Sequence, residues 1–158
     1  MKKVLFLAVA MFIAVAANAQ KGEMAIGGNF SIGFNKGNTN FGVGPKFQYS
    51  FADDWRGEAS FDYFFKKDYV SQWDINLNVH YLVHITRNFN IYPLAGFTVV
   101  GTSVDMGYGS NSQTKVGFNA GGGLEYYFSK NVKANFEGKY QWADGGRGVI
   151  AVGVAYVF

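Results

Sequence analysis

The amino-acid sequence predicts an all-β protein: a closed, eight-stranded, antiparallel up-and-down transmembrane β-barrel that follows an N-terminal signal peptide. Three observations predict it. Apolar and polar residues alternate with period two through almost all of the chain after residue 20, and turn residues break the alternation at intervals. The alternating segments run to about 10 residues or slightly more, the length at which a tilted strand crosses a bilayer. Aromatic residues make up 18% of the chain and charged residues only 16%, whereas soluble domains carry about 25% charge.

The N-terminus has a different pattern. Lys2 and Lys3 form a positive start, and Val4 to Ala17 is an unbroken apolar stretch. That stretch is shorter than the roughly 20 residues of a membrane-spanning helix. Ala17-Asn18-Ala19 has the small-x-small form of a signal-peptidase site. Residues 1–19 are therefore expected to be a cleaved signal peptide and residues 20–158 the barrel domain. Cys is absent, which excludes a disulfide framework, thiolate metal clusters and a lipid anchor at the cut. The processed chain is close to neutral, so a nucleic-acid partner is not expected.

The strands follow in order. The first sets Met24, Ile26, Phe30, Ile32 and Phe34 against Ala25, Gly27, Asn29, Ser31 and Gly33, and Lys36-Gly37-Asn38-Thr39 breaks it. The second has Phe41, Val43, Pro45, Phe47, Tyr49 and Phe51 opposite Lys46, Gln48 and Ser50. After Ala52-Asp53-Asp54, the third places Trp55, Ala59, Phe61, Tyr63 and Phe65 against Arg56, Glu58, Ser60, Asp62 and Phe64. The fourth places Trp73, Ile75, Leu77, Val79, Tyr81 and Val83 against Asp74, Asn76, Asn78, His80 and His84. The fifth carries Phe89, Ile91, Pro93, Ala95, Phe97 and Val99, and the longest loop is expected over Gly101 to Gln113. The sixth has Val116, Phe118, Ala120, Leu124, Tyr126 and Phe128 opposite Lys115, Asn119 and Glu125. The seventh has Val132, Ala134, Phe136, Tyr140 and Trp142 opposite Lys133, Asn135, Glu137, Lys139 and Gln141. Asp144 to Gly148 is the last expected loop, and the eighth strand sets Ile150, Val152, Val154, Tyr156 and Phe158 against Val149, Ala151, Gly153 and Ala155. Turns of about three residues after strands two, four and six, and longer connections elsewhere, would match the short and long sides of a membrane barrel.

Alternation alone fits two opposite proteins: a soluble barrel with its apolar face inward, or a membrane barrel with that face outward. The large aromatics decide for the second. Tyr63, Trp73, Tyr140 and Trp142 gather at one end, with Phe34, Phe41 and Phe65. Trp55, Tyr81, Tyr126 and Tyr156 gather at the other, with Tyr49, Phe51, Phe89 and Phe128. Two aromatic girdles around an aliphatic belt suit two membrane interfaces. The polar face is rich in Gly, Ala, Ser and Asn, as a crowded lumen requires. Its charges also balance: Lys46, Arg56, Lys115, Lys133 and Lys139 against Glu58, Asp62, Asp74, Glu125 and Glu137. An enclosed charge needs a partner, and equal numbers permit complete pairing.

Residues 20–158, with the alternating last strand Val149 to Phe158, resemble the small eight-stranded outer-membrane β-barrels, the OmpA/OmpX-like, porin-family-like group. The resemblance implies residence in the outer membrane of a Gram-negative-type cell, lipid as the surrounding partner, and recognition of the C-terminal strand by the barrel-assembly machinery, with Phe158 as the signal. It also implies a monomer without a cofactor.

Chemistry finds little footing. Lipid-A-modifying barrels need a His, a Ser and a carboxylate at the outer rim. His80 and His84 are the only histidines, and both are expected to face the lumen near the opposite end. On a strand they stand about 13 Å apart, too far to share a metal. Gly121-Gly122-Gly123 precedes no helix, so it is expected to make room for bulky lumen neighbours rather than to cradle phosphate. A pore is the alternative, although Arg56, Lys139, Glu58, Glu137 and Tyr127 would obstruct it. Surface recognition through Val104, Met106 and Tyr108 is a further possibility. The expectation is a non-enzymatic barrel with a side-chain plug.

Overall fold

The computed structural model describes residues 22–143 and 145–158; the expected signal peptide lies outside them. The described chain is all strand and turn: β1 (Met24–Asn35), β2 (Asn38–Ser50), β3 (Trp55–Lys67), β4 (Val70–Tyr81), β5 (Val83–His84), β6 (Phe89–Asp105), β7 (Ser110–Tyr127), β8 (Val132–Trp142) and β9 (Arg147–Val157). β5 is a stub that continues β4 past buried Leu82, so eight strands form the wall. All pairings are antiparallel. The order is β4-β3-β2-β1-β9-β8-β7-β6, and β4 also pairs with β6, which closes the ring. β1 and β9 meet from Ala25↔Val157 to Phe34↔Gly148. One rim carries both ends of the described residues 22–158 and the turns at 51–54, 85–88 and 128–131. The other carries the turns at 36–37, 68–69 and 106–109 and the connection from β8 to β9.

The burial pattern settles which face is which. Along β9, Ile150, Val152, Val154 and Tyr156 are exposed while Arg147, Val149, Ala151 and Ala155 are buried. Ser31, Asn76, Thr98 and Gln141 are also buried, whereas Ile26, Phe30, Leu77, Phe97 and Phe136 face out. The interior is polar and the exterior greasy. A soluble domain could not tolerate that inversion, because so large a continuous apolar surface would drive association in water.

Three local expectations are corrected. The segment expected as a long loop, Gly101 to Gln113, is mostly strand. β6 and β7 run on as a paired arm to Asp105↔Ser110, leaving only 106–109 as the turn. Thr102 and Val104 suit a strand, and both pair across to β4, at Gln72↔Thr102 and Val70↔Val104. The chain reverses only at Gly107, where φ is 75°. The connections at this rim are consequently short, without the expected contrast in length. Tyr49, expected in an outer girdle, is buried, and Gly22 lies against its ring. Trp73 is half-buried because it folds over its cross-strand partner Gly101, filling the space a side chain would occupy there.

Candidate functional site: the polar lumen

Every lumen side chain is delivered by strand periodicity. Residues of one parity on each strand point inward, and small ones alternate with large so that long side chains can cross the interior. Gly123 shows the fit. A side chain there would run into the ring of Tyr92, which is 1% exposed and crosses the lumen from β6. Of the glycine triplet, Gly123 makes room for this bulky lumen neighbour, whereas a side chain at Gly121 would first meet the backbone of β8 at Gly138.

Of the ten charges expected inside, nine are buried: Lys46, Arg56, Glu58, Asp62, Asp74, Glu125, Lys133, Glu137 and Lys139. Lys115 is exposed. Its parity is inward, but it sits on the arm, above Phe118↔Trp142 where β8 first joins β7, so no enclosed lumen surrounds it. Arg147, expected in a loop, replaces it. It opens β9 and is buried. Five buried bases still face five buried acids. The signal for Arg147 was available, since it continues the inward alternation of Val149, Ala151 and Gly153 by one step.

Two clusters anchor the two ends. Toward the terminal rim, Arg56 donates from Nη1 to Glu125 Oε2 at 2.7 Å, and Lys133 lies 3.5 Å from the same oxygen. Asn90 donates to the other Glu125 oxygen at 3.0 Å, and the Arg56 guanidinium lies over the Tyr92 ring at 5.0 Å. Toward the arm rim, Arg147 pairs with Asp74, donates to Gln141 and Gln72 (2.5 and 3.1 Å), and stacks over buried Phe64 at 4.4 Å. Gln141 and Asn119 then bind Asn76 at 2.8 and 3.0 Å, and Asn119 also binds Asn78 at 2.9 Å. A side cluster joins Lys139 to Glu137 (3.5 Å), Tyr92 to Glu137 (3.0 Å), and Asn135 to Tyr92 (3.4 Å), with Lys46 donating to Asn135.

The two histidines part company. His80 is fully buried and stacked on Tyr92, with ring centroids 4.5 Å apart. His84 is instead half-exposed, on the stub beyond the wall. It contacts Asn90 at 2.8 Å and Asp54 at 3.4 Å. Each has a carboxylate nearby, Glu58 for His80 and Asp54 for His84, but among the described residues no Ser hydroxyl is hydrogen-bonded to either ring.

Among the described residues, one grouping has metal-like spacing: ligand atoms of Glu58, His80 and Glu137 all lie within 4.8 Å of one another. The donor set does not fit a metal. Arg56 presents Nε and Nη2 to His80 Nδ1 at 3.3 and 3.0 Å, so that nitrogen must accept. The ring proton therefore sits on Nε2, the atom aimed at Glu58, and a protonated nitrogen cannot ligate. A divalent ion would also add two uncompensated charges to an interior where acids and bases already match.

The expected interface aromatics lie in two bands on the outer surface. Trp55 packs edge-on to Tyr81 at 5.0 Å, and Tyr126 stands in the same band with Tyr156; Tyr140 packs on Trp142 at 4.9 Å in the other band, with Tyr63 and Trp73. Phe158 is exposed on the terminal rim, its backbone N–H donating to Met24 O at 2.9 Å.

Residues 4–158 match the family model described as outer membrane protein beta-barrel domain. Among solved structures, the N-terminal β-barrel domain of Pseudomonas aeruginosa OprF is similar with a TM-score of 0.73 at 21% identity, covering 87% of this chain and 100% of that one. Neisserial surface protein A gives 0.67 at 17% identity, and Ail, the attachment invasion locus protein of Yersinia pestis, gives 0.65 at 20%. Each covers 87% of this chain and 97% of its own. No curated protein matches the chain.

Proposed function

The chain belongs to the outer membrane protein beta-barrel domain family and resides in the outer membrane of a Gram-negative-type cell, and from that premise we propose that it is a monomeric, non-catalytic wall element whose lumen is plugged by its own side chains. The observation that carries this reading is the neutral interior of five acids and five bases, cross-linked by buried pairs such as Arg56–Glu125. Eight strands leave an interior just wide enough for side chains to fill, whereas aqueous channels come with about 16 strands. The aromatic bands would anchor the barrel at the two interfaces. The alternating β9 with Phe158 would be what the assembly machinery reads. Planar-bilayer recording of the refolded protein tests the plug: no steady unitary conductance is expected, and a reproducible open level that passes small solutes would overturn it in favour of a narrow channel.

A second reading, contact with a partner at the cell surface, is favoured by the β6–β7 arm. Residues 110–116 of β7 pair with β6 on one side, and among the described residues no strand pairs with them on the other. Such an edge offers unpaired backbone donors and acceptors, and Tyr69, Met106 and Tyr108 are exposed at the tips beside it. A related fold serves a protein named for attachment and invasion. Binding of whole cells to host-surface extracts, compared with a variant whose arm is cut back to a tight turn, tests this. Equal binding would remove the arm from consideration.

A further inference from the structure

Rows of outward side chains cross the strands of the wall. Toward the terminal rim, one row holds Trp55 and its partner Tyr81; toward the arm, the row of Leu77, Phe97 and Phe118 is bulky too. The row between them is small: Gly57, Val79, Ala95 and Ala120 stand in register across β3, β4, β6 and β7. At the positions that separate these rows, Glu58, Asn78 and Asn119 turn their side chains into the lumen, so only backbone faces outward there. The result is a trough of about 760 Å³ on the lipid-facing surface. Gly57 and Ala95 form its floor, Leu77 and Phe97 run along one side, and Phe51 stands at its terminal-rim end.

Gly57 does not relieve crowding. A methyl group there would stand 3.8 Å from the Phe51 ring and 3.9 Å from the Tyr49 carbonyl oxygen, both ordinary contacts. Glycine weakens a strand, and the room it leaves here is taken by no neighbouring side chain. The trough lies between the two aromatic bands, continuous with the hydrocarbon-facing belt, so what fills it comes from the membrane. Charge at its mouth narrows the choice. The turn at 51–54 carries Asp53 and Asp54, and the neighbouring turn at 85–88 carries Arg87. The two turns are tied together: Leu82 N–H donates to Asp54 O at 2.7 Å, and His84 lies 3.4 Å from the Asp54 carboxylate. Asp53 and Arg87 are exposed and make no ion pair among the described residues. A free anion and a free cation on adjacent turns of one rim match a zwitterion, whereas a purely anionic lipid would be set against two aspartates.

We propose that this trough is a selective lipid site: it seats one acyl chain of an ethanolamine glycerophospholipid, whose ammonium meets Asp53 and whose phosphate meets Arg87. The chain lies over Gly57 and Ala95 and gains dispersion contacts from the sides of the trough as well as its floor. A primary ammonium brings N–H donors that a carboxylate accepts in charge-assisted hydrogen bonds, and a quaternary choline head has none. Shape and charge together pick this one lipid out of those surrounding the barrel. The site is independent of whether the lumen conducts, so the bilayer recording that tests the plug does not bear on it.

The test is native mass spectrometry of the folded barrel released from detergent micelles. Ethanolamine, choline and glycerol phospholipids with identical chains, and lipid A, are titrated in turn. One ethanolamine lipid is expected to be retained saturably, ahead of the other three. Gly57→Ile fills the floor with a residue that suits a strand and should abolish this retention without lowering the urea midpoint. Ala95→Leu, made separately, fills the same floor from β6 and should do likewise. Gly138→Ile is the control: its glycine also has open space around it but lies on β8, outside the trough, so retention should persist. Asp53→Asn should weaken the ethanolamine lipid about threefold, the worth of an exposed charge pair, and bring it level with the choline lipid. Absence of any saturable lipid, retention unchanged in both filled variants, or preference for the glycerol lipid or lipid A would overturn the proposal. So would a dimer of the barrel that Gly57→Ile breaks, since a second copy would then occupy the trough.

Discussion

Replacing Arg56 with Met should destabilise the folded barrel by about 3–5 kcal/mol, the range for breaking a buried charge pair from one side. The structure places the value at the lower end of that range. Glu125 would lose its 2.7 Å partner but would keep Lys133 at 3.5 Å and Asn90 at 3.0 Å. Against that, the variant also loses the donors to His80 Nδ1 and the stacking on Tyr92. Met fills a similar volume, so packing loss should be small. The assay is urea unfolding in phospholipid vesicles, followed by the heat-modifiable gel mobility of β-barrels. With a urea slope of about 1–3 kcal/mol per molar, the midpoint should fall by roughly 1–3 M. Adding Glu125→Gln to Arg56→Met should recover at least half the loss, because the unpaired carboxylate disappears. A loss below about 1 kcal/mol, or no recovery in the double variant, would refute the reasoning. It would mean that Glu125 is solvated and the lumen is wet at this level.

Leu77→Arg places a charge on the lipid-facing aliphatic belt and should cost about 2–4 kcal/mol in the same assay; an unchanged midpoint would show that this face does not meet hydrocarbon. Gly153→Ala points inward, where its methyl group would collide with Asn29, Asn135 and Lys46, and should cost about 1–3 kcal/mol through overpacking with no dependence on bilayer thickness. Asp68 and Tyr69 hold φ of 51° and 66° in the two-residue turn between β3 and β4, so the pair Asp68→Asn and Tyr69→Gly should raise stability by about 1 kcal/mol, read as a higher urea midpoint. Arg147→Gln should lower it by about 3 kcal/mol because Asp74 is left buried without its base, while Lys115→Gln on the exposed arm should change it by less than about 0.5 kcal/mol.

The wall was readable because a period of two has only two phases, and one phase in each strand is too polar to face lipid. The same logic located Arg56, Glu125 and Lys139. It failed at Lys115 and Arg147 for a common reason. Parity says which way a side chain points but not whether wall exists around it. β7 outruns β8 on the arm, so Lys115 points inward over no lumen. β9 begins earlier than its glycines suggest, so Arg147 gains one. Tyr49 escaped because its covering comes from Gly22, outside any strand. The meeting of Glu58, His80 and Glu137 could not be foreseen, since it depends on how β3, β4 and β8 face one another across the lumen.

The seam between β1 and β9 has a kinetic meaning. Its partners come from opposite ends of the described chain, so the hydrogen bonds that abolish the sheet's free edges must wait until almost everything between them has been laid down. Local hairpins can form early, but ring closure carries the largest loop entropy of any pairing in the molecule. Until then two bare edges stay open to strangers, and a chain this greasy needs an escort until the cylinder shuts.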